Sequence, residues 1–317
     1  YVITIKNKTN YNLSMSVKWS SSQDIKTSEV EIFDNNYIKK FKNQSYPIFA
    51  NIEFNLHGSC NRRCAFCPRV DESIWPNLEE ELSMELFDKI LSELKMINYS
   101  GRISFSGFSE PFLHSNLKEI IKKITLNLPE AKSEIITNGD YLKEDNVQEL
   151  FKEGLQYMYV SLYTNKEMFD YLLSIKEKLK KEYQEKFNIR PRNLGRKNTF
   201  GLNLNNRAGA VDYTKFGMKQ EKILPLKQGC NYPMFTIFVD YNGDCLICPD
   251  DWDKRKVVGS AKKDNIVNIW LGEIFHKVRK RLLNSDRNDS PCDKCDVNGL
   301  LNGGSFADKW NSYYKSE

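Results

Sequence analysis

Apolar and polar positions change their spacing along the chain, and each spacing predicts a different kind of element. Over residues 1–48 they alternate, as in YVITI and LSMSVKW, which predicts a short β segment. From residue 49, short apolar runs such as NIEFNL, RISFS, SEIIT and QYMYVSL are separated by stretches with helical spacing. The stretch MELFDKILSELKMI, for example, places Leu86, Phe87 and Ile90 on one helical face. Such alternation of strands and helices predicts parallel βαβ units.

The number of these units limits the architecture of this α/β fold. With strands also predicted in FNIRPRN and TFGLNLN, about six units fit between residues 49 and 210, too few for a closed eight-stranded barrel. We therefore expect an open, partial (β/α)6 TIM-like barrel over residues 49–228. Residues 229–317 differ, because a hairpin signal at Asn242-Gly243 joins two strands and an amphipathic helix, NIVNIWLGEIFHKVRKRLL, follows. Residues 1–48, 49–228 and 229–317 are the predicted units.

Composition and charge limit the classes of binding partner that the chain is expected to have. The chain has 317 residues, of which 40% are hydrophobic and 28% charged, and no apolar run is long enough to span a bilayer. This composition predicts a soluble, cytoplasmic protein without a membrane partner. Lys and Arg number 47 against 42 Asp and Glu. The basic stretches 176–186 and 277–281 contain Glu or lie on amphipathic helices, so we read them as solvated helix faces and expect no nucleic-acid partner.

The cysteines point to metal chemistry. Eight cysteines in a cytoplasmic chain are not expected to form a disulfide framework, and close groups of cysteine suggest metal binding. Only three histidines are present, so the ligands would be mostly thiolates, which select zinc, copper(I) or iron–sulfur clusters. The groups are Cys60, Cys64 and Cys67; Cys230; Cys245 and Cys248; and Cys292 and Cys295.

The first group, in HGSCNRRCAFCPR, has three thiols and no fourth nearby. It directly follows a predicted strand, so it should lie at the carboxyl edge of the sheet, where α/β proteins place their sites. A structural zinc site would take four ligands. The spacing instead suits three thiolates on one face of a cubane cluster, with the fourth iron lacking a protein ligand.

This Cys-x3-Cys-x2-Cys pattern resembles that of the radical S-adenosylmethionine (SAM) enzymes. The resemblance implies that Cys60, Cys64 and Cys67 hold a [4Fe–4S] cluster whose open iron binds SAM, and that reductive cleavage of SAM yields a 5′-deoxyadenosyl radical. SGFSEP looks like a variant of the family's Gly-Gly-Glu-Pro motif, with Phe108-Ser109 as a departure. The resemblance, together with TNG and VSLY at the ends of the next two strands, implies a set of cofactor-binding residues. These are Phe66, Gly107, Ser109, Glu110, Asn138 and Ser161.

The C-terminal cysteines resemble the twitch domain, the shortened form of the SPASM extension. The resemblance implies an auxiliary [4Fe–4S] cluster held by Cys230, Cys248, Cys292 and Cys295, which would carry electrons because it has no open iron. The alternative is a structural zinc site made by Cys245-x-x-Cys248 and Cys292-x-x-Cys295. Each scheme leaves one cysteine unused, so counting does not decide between them.

The implied reaction depends on what surrounds the substrate radical. The chain resembles the 2-deoxy-scyllo-inosamine dehydrogenase branch of the family, which implies oxidation of a secondary alcohol of a sugar or cyclitol to a ketone, with a reductase and flavodoxin or a ferredoxin as electron donor. One alternative is an epimerase in which Cys245 returns hydrogen; a peptide-modifying maturase is another. Cys245 also suits a small buried hydrophobe, because residues three apart on a strand face opposite sides.

Polar residues at predicted strand ends are candidates for binding substrate or accepting its proton. Arg190 and Arg192 lie in IRPRN, and Arg207 lies in LNNRAG, a run dense in hydrogen-bonding groups. The alternative for each arginine is an ion pair with a surface acid. PDDW, residues 249–252, follows an implied cluster ligand and is a further candidate.

Overall fold

The computed structural model describes residues 38–41, 44–191, 205–212, 214 and 222–316. Most of the predicted N-terminal strands, and all but the last residue of TFGLNLN, lie outside these ranges. The ten described strands are β1 (Ile38–Phe41), β2 (Gln44–Pro47), β3 (Asn51–Phe54), β4 (Arg102–Phe105), β5 (Lys132–Thr137), β6 (Tyr157–Leu162), β7 (Phe187–Pro191), β8 (Thr236–Val239), β9 (Asp244–Leu246) and β10 (Val257–Ser260).

Helices follow most of the parallel strands and also form the C-terminal end of the described chain. They are α1 (Met84–Met96), α2 (Leu117–Asn127), α3 (Glu144–Lys152), α4 (Lys166–Lys178), α5 (Lys181–Gln184), α6 (Tyr232–Phe235), α7 (Ile266–Trp270), α8 (Glu273–Leu283) and α9 (Gly304–Ser316). No helix in the described ranges is long and apolar enough to cross a bilayer.

The main sheet has eight strands in the order β10-β9-β8-β3-β4-β5-β6-β7. Neighbouring strands from β8 to β7 run parallel, so the described part of this α/β fold contains six parallel strands. Five of them, β3 to β7, come from the predicted βαβ region. The sixth, β8, comes from the C-terminal segment and pairs with β3. The predicted hairpin forms as well, because β8 pairs antiparallel with β9 across Asn242-Gly243. The C-terminal hairpin therefore extends the main sheet.

The two faces of the sheet differ in polarity. Alternate residues such as Ile52, Ile103 and Ile135 are fully buried in the apolar core beneath the helices. The other face carries buried polar groups, among them an ion pair of 2.6 Å between Arg102 Nη1 and Glu134 Oε2, both almost without solvent exposure. A polar face beneath the carboxyl edge is suited to binding a polar substrate.

Two helices predicted as continuous are interrupted. The spacing of apolar residues over 166–187 predicts one long helix, but this stretch divides into α4 and α5, because Leu179 and Lys180 adopt extended ψ angles of 156° and 144°. Gln184 Nε2 donates to the carbonyl oxygen of Leu179 at 2.9 Å, which satisfies an acceptor exposed by the break. The C-terminal amphipathic helix divides in the same way into α7 and α8, where Gly272 has an extended ψ of 158°.

Candidate active site

The first cysteine group lies in the loop that connects β3 to α1. An isolated antiparallel bridge between His57 and Glu81 closes the base of this loop. Gly58 is required there, because a Cβ atom would lie 2.7 Å from the carbonyl oxygen of Leu78. Burial, with a smaller contribution from the nearby Cys67, raises the pKa of the Cys64 thiol to about 11.

The three thiols of this group influence one another's pKa values. Burial raises the pKa of Cys60 as well, and the charge of Cys67 adds to the effect. The three thiols therefore lie within electrostatic range of one another in one loop, and their role as cluster ligands stays a prediction.

Two residues between the first two cysteines tie this loop to the end of β5. Arg62 Nε and Asn61 Nδ2 donate to Asp140 Oδ2 at 2.6 and 2.7 Å. Asn138 Nδ2 in turn donates to Asn61 Oδ1 at 2.8 Å. The predicted cofactor residue Asn138 therefore lies against the cysteine loop.

Glu110 occupies the space between the ends of β4 and β5 and is 2% exposed. Its carboxylate accepts hydrogen bonds from Thr137 Oγ1 at 2.6 Å and the Asn138 backbone N–H at 2.9 Å. Burial raises the pKa of Glu110 to about 7, although these bonds lower it. Because Glu110 also raises the pKa of Cys60, it lies within electrostatic range of the cysteine loop. A buried carboxylate in this position is suited to bind a ligand ammonium group.

The rest of the SGFSEP motif is also ordered by neighbouring strands. Gly107 has φ +108°, and a Cβ there would lie 2.8 Å from the ring of Phe238. Ser109 Oγ donates to Asn55 Oδ1 at 2.6 Å. Phe108, the departure from the family motif, packs 4.4 Å from Trp252, ring centroid to ring centroid. The bulky residue therefore joins the motif to the segment that follows Cys248.

The ends of β6 and β7 carry two more predicted residues, Ser161 and Arg190, and a third, Phe66 of the cysteine loop, contacts the residue that follows β6. Phe66 lies 5.2 Å from the ring of Tyr163, an aromatic residue that sequence reasoning missed although it ends VSLY. Ser161 is buried and is paired in register with Arg190. The guanidinium of Arg190 stacks 3.7 Å above the Tyr159 ring. Arg192 lies outside the described residues.

The second cysteine group surrounds a small cavity that is partly open to solvent. Its lining includes the four predicted cluster ligands Cys230, Cys248, Cys292 and Cys295, together with Arg287, Asp250 and Ala208. Burial raises the pKa of Cys292 to about 12, with a smaller contribution from Cys230. Burial likewise raises the pKa of the other three thiols.

The arrangement of donors tests which group this cavity fits. Within the residues that the structure describes, no three His, Cys, Asp or Glu side chains converge closely enough to bind a single metal ion. A zinc ion holds its thiolates at about 2.3 Å. Four thiols spread around a cavity therefore fit a polynuclear iron–sulfur cluster better than one zinc ion.

The position of Cys245 differs from the one that the predicted role of hydrogen donor would need. It has no solvent exposure and belongs to the apolar core of the sheet. Its Sγ points toward the Gly243 carbonyl oxygen at 3.8 Å, and burial raises the pKa of the thiol to about 12. Cys245 is absent from the lining of the cavity that contains Cys248. Neither the role of hydrogen donor nor a zinc pair with Cys248 is compatible with this position.

Arg207 lies between the two cysteine groups. Its Nη1 forms an ion pair of 3.0 Å with Asp250 Oδ1, and Asp250 lines the four-cysteine cavity. In the first cysteine group, burial raises the pKa of the Cys67 thiol, and the charge of Arg207 lowers it. Asn206 fixes the segment, since its Nδ2 donates to the carbonyl oxygen of Lys294 at 2.7 Å. The arrangement places a charged, polar pair between the two groups of thiols.

Comparisons with known proteins agree with this layout. Residues 54–190 match the radical SAM superfamily, and residues 230–296 match the iron–sulfur cluster-binding domain known as SPASM. The chain is 28% identical over 250 residues to the S-adenosyl-L-methionine-dependent 2-deoxy-scyllo-inosamine dehydrogenase of Niallia circulans, covering 78% of this chain and 93% of that protein. It is 32% identical over 123 residues to a probable GTP 3′,8-cyclase of Archaeoglobus fulgidus, covering 39% of this chain and 38% of that protein.

Solved structures give the same picture. The crystal structure of BtrN in complex with AdoMet and 2-DOIA aligns with a TM-score of 0.67 and 26% identity, over 81% of this chain and 96% of that one. An open conformation of selenomethionine BtrN aligns with a TM-score of 0.58 and 24% identity, over 79% and 93% of the two chains. The partial barrel and its C-terminal extension thus have a solved counterpart.

Proposed function

Because this chain belongs to the radical SAM superfamily and carries a SPASM-type iron–sulfur domain, we propose that it oxidises a secondary alcohol of a sugar or cyclitol to a ketone. The observation that carries this proposal is the position of the Arg207–Asp250 pair between a three-thiol loop and a four-thiol cavity. The similarity to a cyclitol dehydrogenase over most of both chains supports the substrate class.

The cofactors are SAM and two [4Fe–4S] clusters. When bound, they supply the hydrogen-abstracting chemistry and an acceptor for one electron. We propose that Cys60, Cys64 and Cys67 hold the SAM-binding cluster, and that Cys230, Cys248, Cys292 and Cys295 hold the auxiliary one. In functional terms, residues 49–228 would then bind SAM and residues 229–317 would receive the electron, with residues 1–48 preceding both.

The residues around the first site are proposed to orient SAM. Glu110 would pair with its ammonium group, since within the described ranges this buried carboxylate has neutral hydrogen-bond donors as partners, namely Thr137, Phe112 and Asn138. Gly107 and Ser109 would shape the same strand end, and Phe66 and Ser161 would border the nucleoside. Their support is position alone: each lies at the carboxyl edge of a strand or in the cysteine loop.

The substrate needs a group that receives its hydroxyl proton. Loss of one hydrogen atom from carbon, one proton from oxygen and one electron converts a carbinol into a ketone. We propose that Arg207 orients the hydroxyl and that a carboxylate oxygen of Asp250 takes the proton. Arg190 is a second candidate for binding substrate, because it lies at the carboxyl end of β7 beside Ser161. The epimerase alternative loses its support, since Cys245 is buried in the core.

The electron that starts the reaction must come from outside the chain. We propose a ferredoxin, or a reductase with flavodoxin, as donor in the reducing cytoplasm. The reason is that clusters of this type require a reductant of low potential.

Anaerobic turnover tests the proposed function. The first probe is 2-deoxy-scyllo-inosamine deuterated at its carbinol carbons, followed by inositols and amino sugars, each with SAM and dithionite. We expect deuterium in 5′-deoxyadenosine and an equal amount of ketone from at least one probe. Cleavage of SAM without ketone from any of them would contradict the substrate class. Solvent deuterium fixed on carbon would indicate epimerisation.

A further inference from the structure

Among the residues that the structure describes, five arginine side chains are almost completely buried, although arginine is rarely found inside a protein without compensation. A guanidinium keeps its charge when buried, so each of these residues needs an anion, an aromatic face or a set of acceptors. They are Arg69, Arg102, Arg190, Arg279 and Arg287, each 5% exposed or less.

Three of the five have a recognised form of compensation. Arg102 pairs with the carboxylate of Glu134 at 2.6 Å. The guanidinium of Arg190 stacks on Tyr159, and that of Arg279 lies 3.9 Å from the ring centroids of both Trp270 and Trp310. Electrostatic attraction to a ring face stabilises a desolvated cation.

Arg287 is compensated differently. Its three nitrogens donate to backbone carbonyl oxygens only: Nε to Gln228 at 3.0 Å, Nη1 to Val297 at 2.9 Å and Nη2 to Gly229 at 2.7 Å. These carbonyls lie in the segments that carry Cys230 and Cys295. Arg287 itself lines the four-cysteine cavity, and among the described residues none of its hydrogen-bond partners is a carboxylate.

Arg69 is held by a similar set of neutral acceptors at the first cysteine group, one of which is a side-chain oxygen: its Nη1 donates to Asn77 Oδ1 at 3.2 Å. Its Nη2 donates to the Gly58 carbonyl oxygen at 2.9 Å, and its Nε donates to that of Phe108. Asp240 acts on it only from farther away and is paired with Lys254. Each group of thiols is thus accompanied by a buried cation that has no carboxylate partner within ion-pair distance among the described residues. Burial raises the pKa of Cys60 and Cys67, which Arg69 lowers, and that of Cys230 and Cys295, which Arg287 lowers.

We propose that Arg69 and Arg287 are the counter-cations of the two anionic clusters, and that Arg287 raises the reduction potential of the auxiliary cluster so that it accepts an electron. A cluster with four thiolates is an anion whose negative charge grows on reduction. A nearby fixed cation stabilises the reduced form more than the oxidised form, and net charge around a cluster is one of the determinants of its potential. The proposal depends on the clusters but on no particular substrate, so it and the proposed function can fail separately.

The test measures the potential of the auxiliary cluster alone. In a background with Cys60, Cys64 and Cys67 replaced by alanine, an anaerobic redox titration followed by EPR reports only that cluster. Arg287→Met removes the charge at similar length, Arg287→Lys keeps the charge, and Arg279→Met removes a buried arginine that is compensated by aromatic rings. Iron and sulfide content is measured for every variant.

We expect Arg287→Met to lower the midpoint potential by at least about 59 mV, a tenfold change in the ratio of oxidised to reduced cluster at a fixed poise. Arg287→Lys should lie between Met and the parent, and Arg279→Met should leave the potential unchanged. If the Met variant fails to bind iron while the Lys variant binds it, the charge is required and the proposal is supported.

Three results would overturn it. One is a fully loaded Arg287→Met protein with the parental potential. Another is an equal shift in Arg279→Met, which would indicate a general effect of losing a buried arginine. The third is failure of both Arg287 variants to bind iron, which would show that the fork of hydrogen bonds matters and the charge does not. In the full protein, Arg69→Met should lower only the potential of the other cluster.

Discussion

Glu110 provides a prediction whose magnitude follows directly from the structure. In the folded protein burial raises its pKa to about 7, against an ordinary value of 4.5. A carboxyl group whose pKa is higher in the folded state binds its proton more tightly when folded. The stability that results is complete below about pH 4.5 and is lost as the pH rises through about 7. The difference between the two pKa values corresponds to about 3 kcal/mol.

Glu110→Gln replaces this group with a neutral one of nearly the same shape. The amide oxygen of Gln can take the place of Oε1, which accepts from Thr137 Oγ1 and the Phe112 N–H, whereas the bond from the Asn138 N–H to Oε2 is lost because an amide NH2 cannot accept. Neither effect depends on pH, because the amide does not titrate in this range. The variant should therefore lack this pH dependence. Between pH 5 and pH 8, its free energy of unfolding relative to the unsubstituted protein should rise by about 2.5 kcal/mol, because part of the full difference is already lost at pH 5.

Urea unfolding of the metal-free, reduced protein at pH 5, 6.5 and 8 measures this difference. Glu81→Gln is the matched control, because hydrogen bonds from Ser115 lower the pKa of Glu81 even though burial raises it, so its pH dependence should not have the same sign. A difference between Glu110→Gln and the unsubstituted protein that stays constant from pH 5 to pH 8 would refute the reasoning. If the carboxylate also pairs with the ammonium group of SAM, affinity for SAM should weaken as the pH falls below 7.

Three further predictions concern the cysteine loop, the buried thiol and the charged pair. Asp140→Ala removes charge-assisted hydrogen bonds worth about 2 kcal/mol after allowance for partial exposure. A chelator should therefore extract iron from the first cluster about 30-fold faster. The control variant Asp88→Ala, which removes a surface ion pair, should leave the rate of extraction unchanged. An unchanged rate of extraction would contradict the loop's dependence on Asp140. Cys245→Ala should lower stability by about 1–2 kcal/mol and leave ketone formation intact; loss of activity in a folded, fully loaded variant would restore the thiol's catalytic role. Arg207→Met should reduce kcat/KM for the alcohol by at least about 100-fold at full iron content, and a smaller loss would argue against the pair with Asp250 as the proton-accepting group.

Local patterns predicted most of the fold. The alternation of short apolar runs with helical spacing located β3 to β7 and the helices between them, because each element buries one face against the same core. The turn at Asn242-Gly243 was predicted for a similar reason, since Gly243 has φ +87°. The pairing of β8 with β3 was not predicted. The two strands are separated by more than 180 residues, and no local pattern encodes a partner so far away.

The residues of the candidate site were likewise predictable where they belong to a local pattern, and were missed where their role depends on distant segments. Cysteine spacing and the strand-end motifs are local features, and the structure brings their residues to the two sites described above. Arg69 and Arg287 were missed because, in a sequence, a buried arginine looks the same as a solvated one. Their burial depends on carbonyl groups from distant segments. The same holds for Asp140, whose partners Asn61 and Arg62 lie about 80 residues earlier in the chain.

The central claim is that the two groups of thiols divide the work, one cleaving SAM and the other receiving the electron from the substrate. Measuring 5′-deoxyadenosine and ketone separately in Cys248→Ala tests it most directly. Cys248 belongs only to the second group, and the first group lies in a different loop. We predict that the variant still forms 5′-deoxyadenosine but yields little or no ketone. Ketone formation that stays equal to 5′-deoxyadenosine formation, at the unsubstituted protein's rate, would contradict the account.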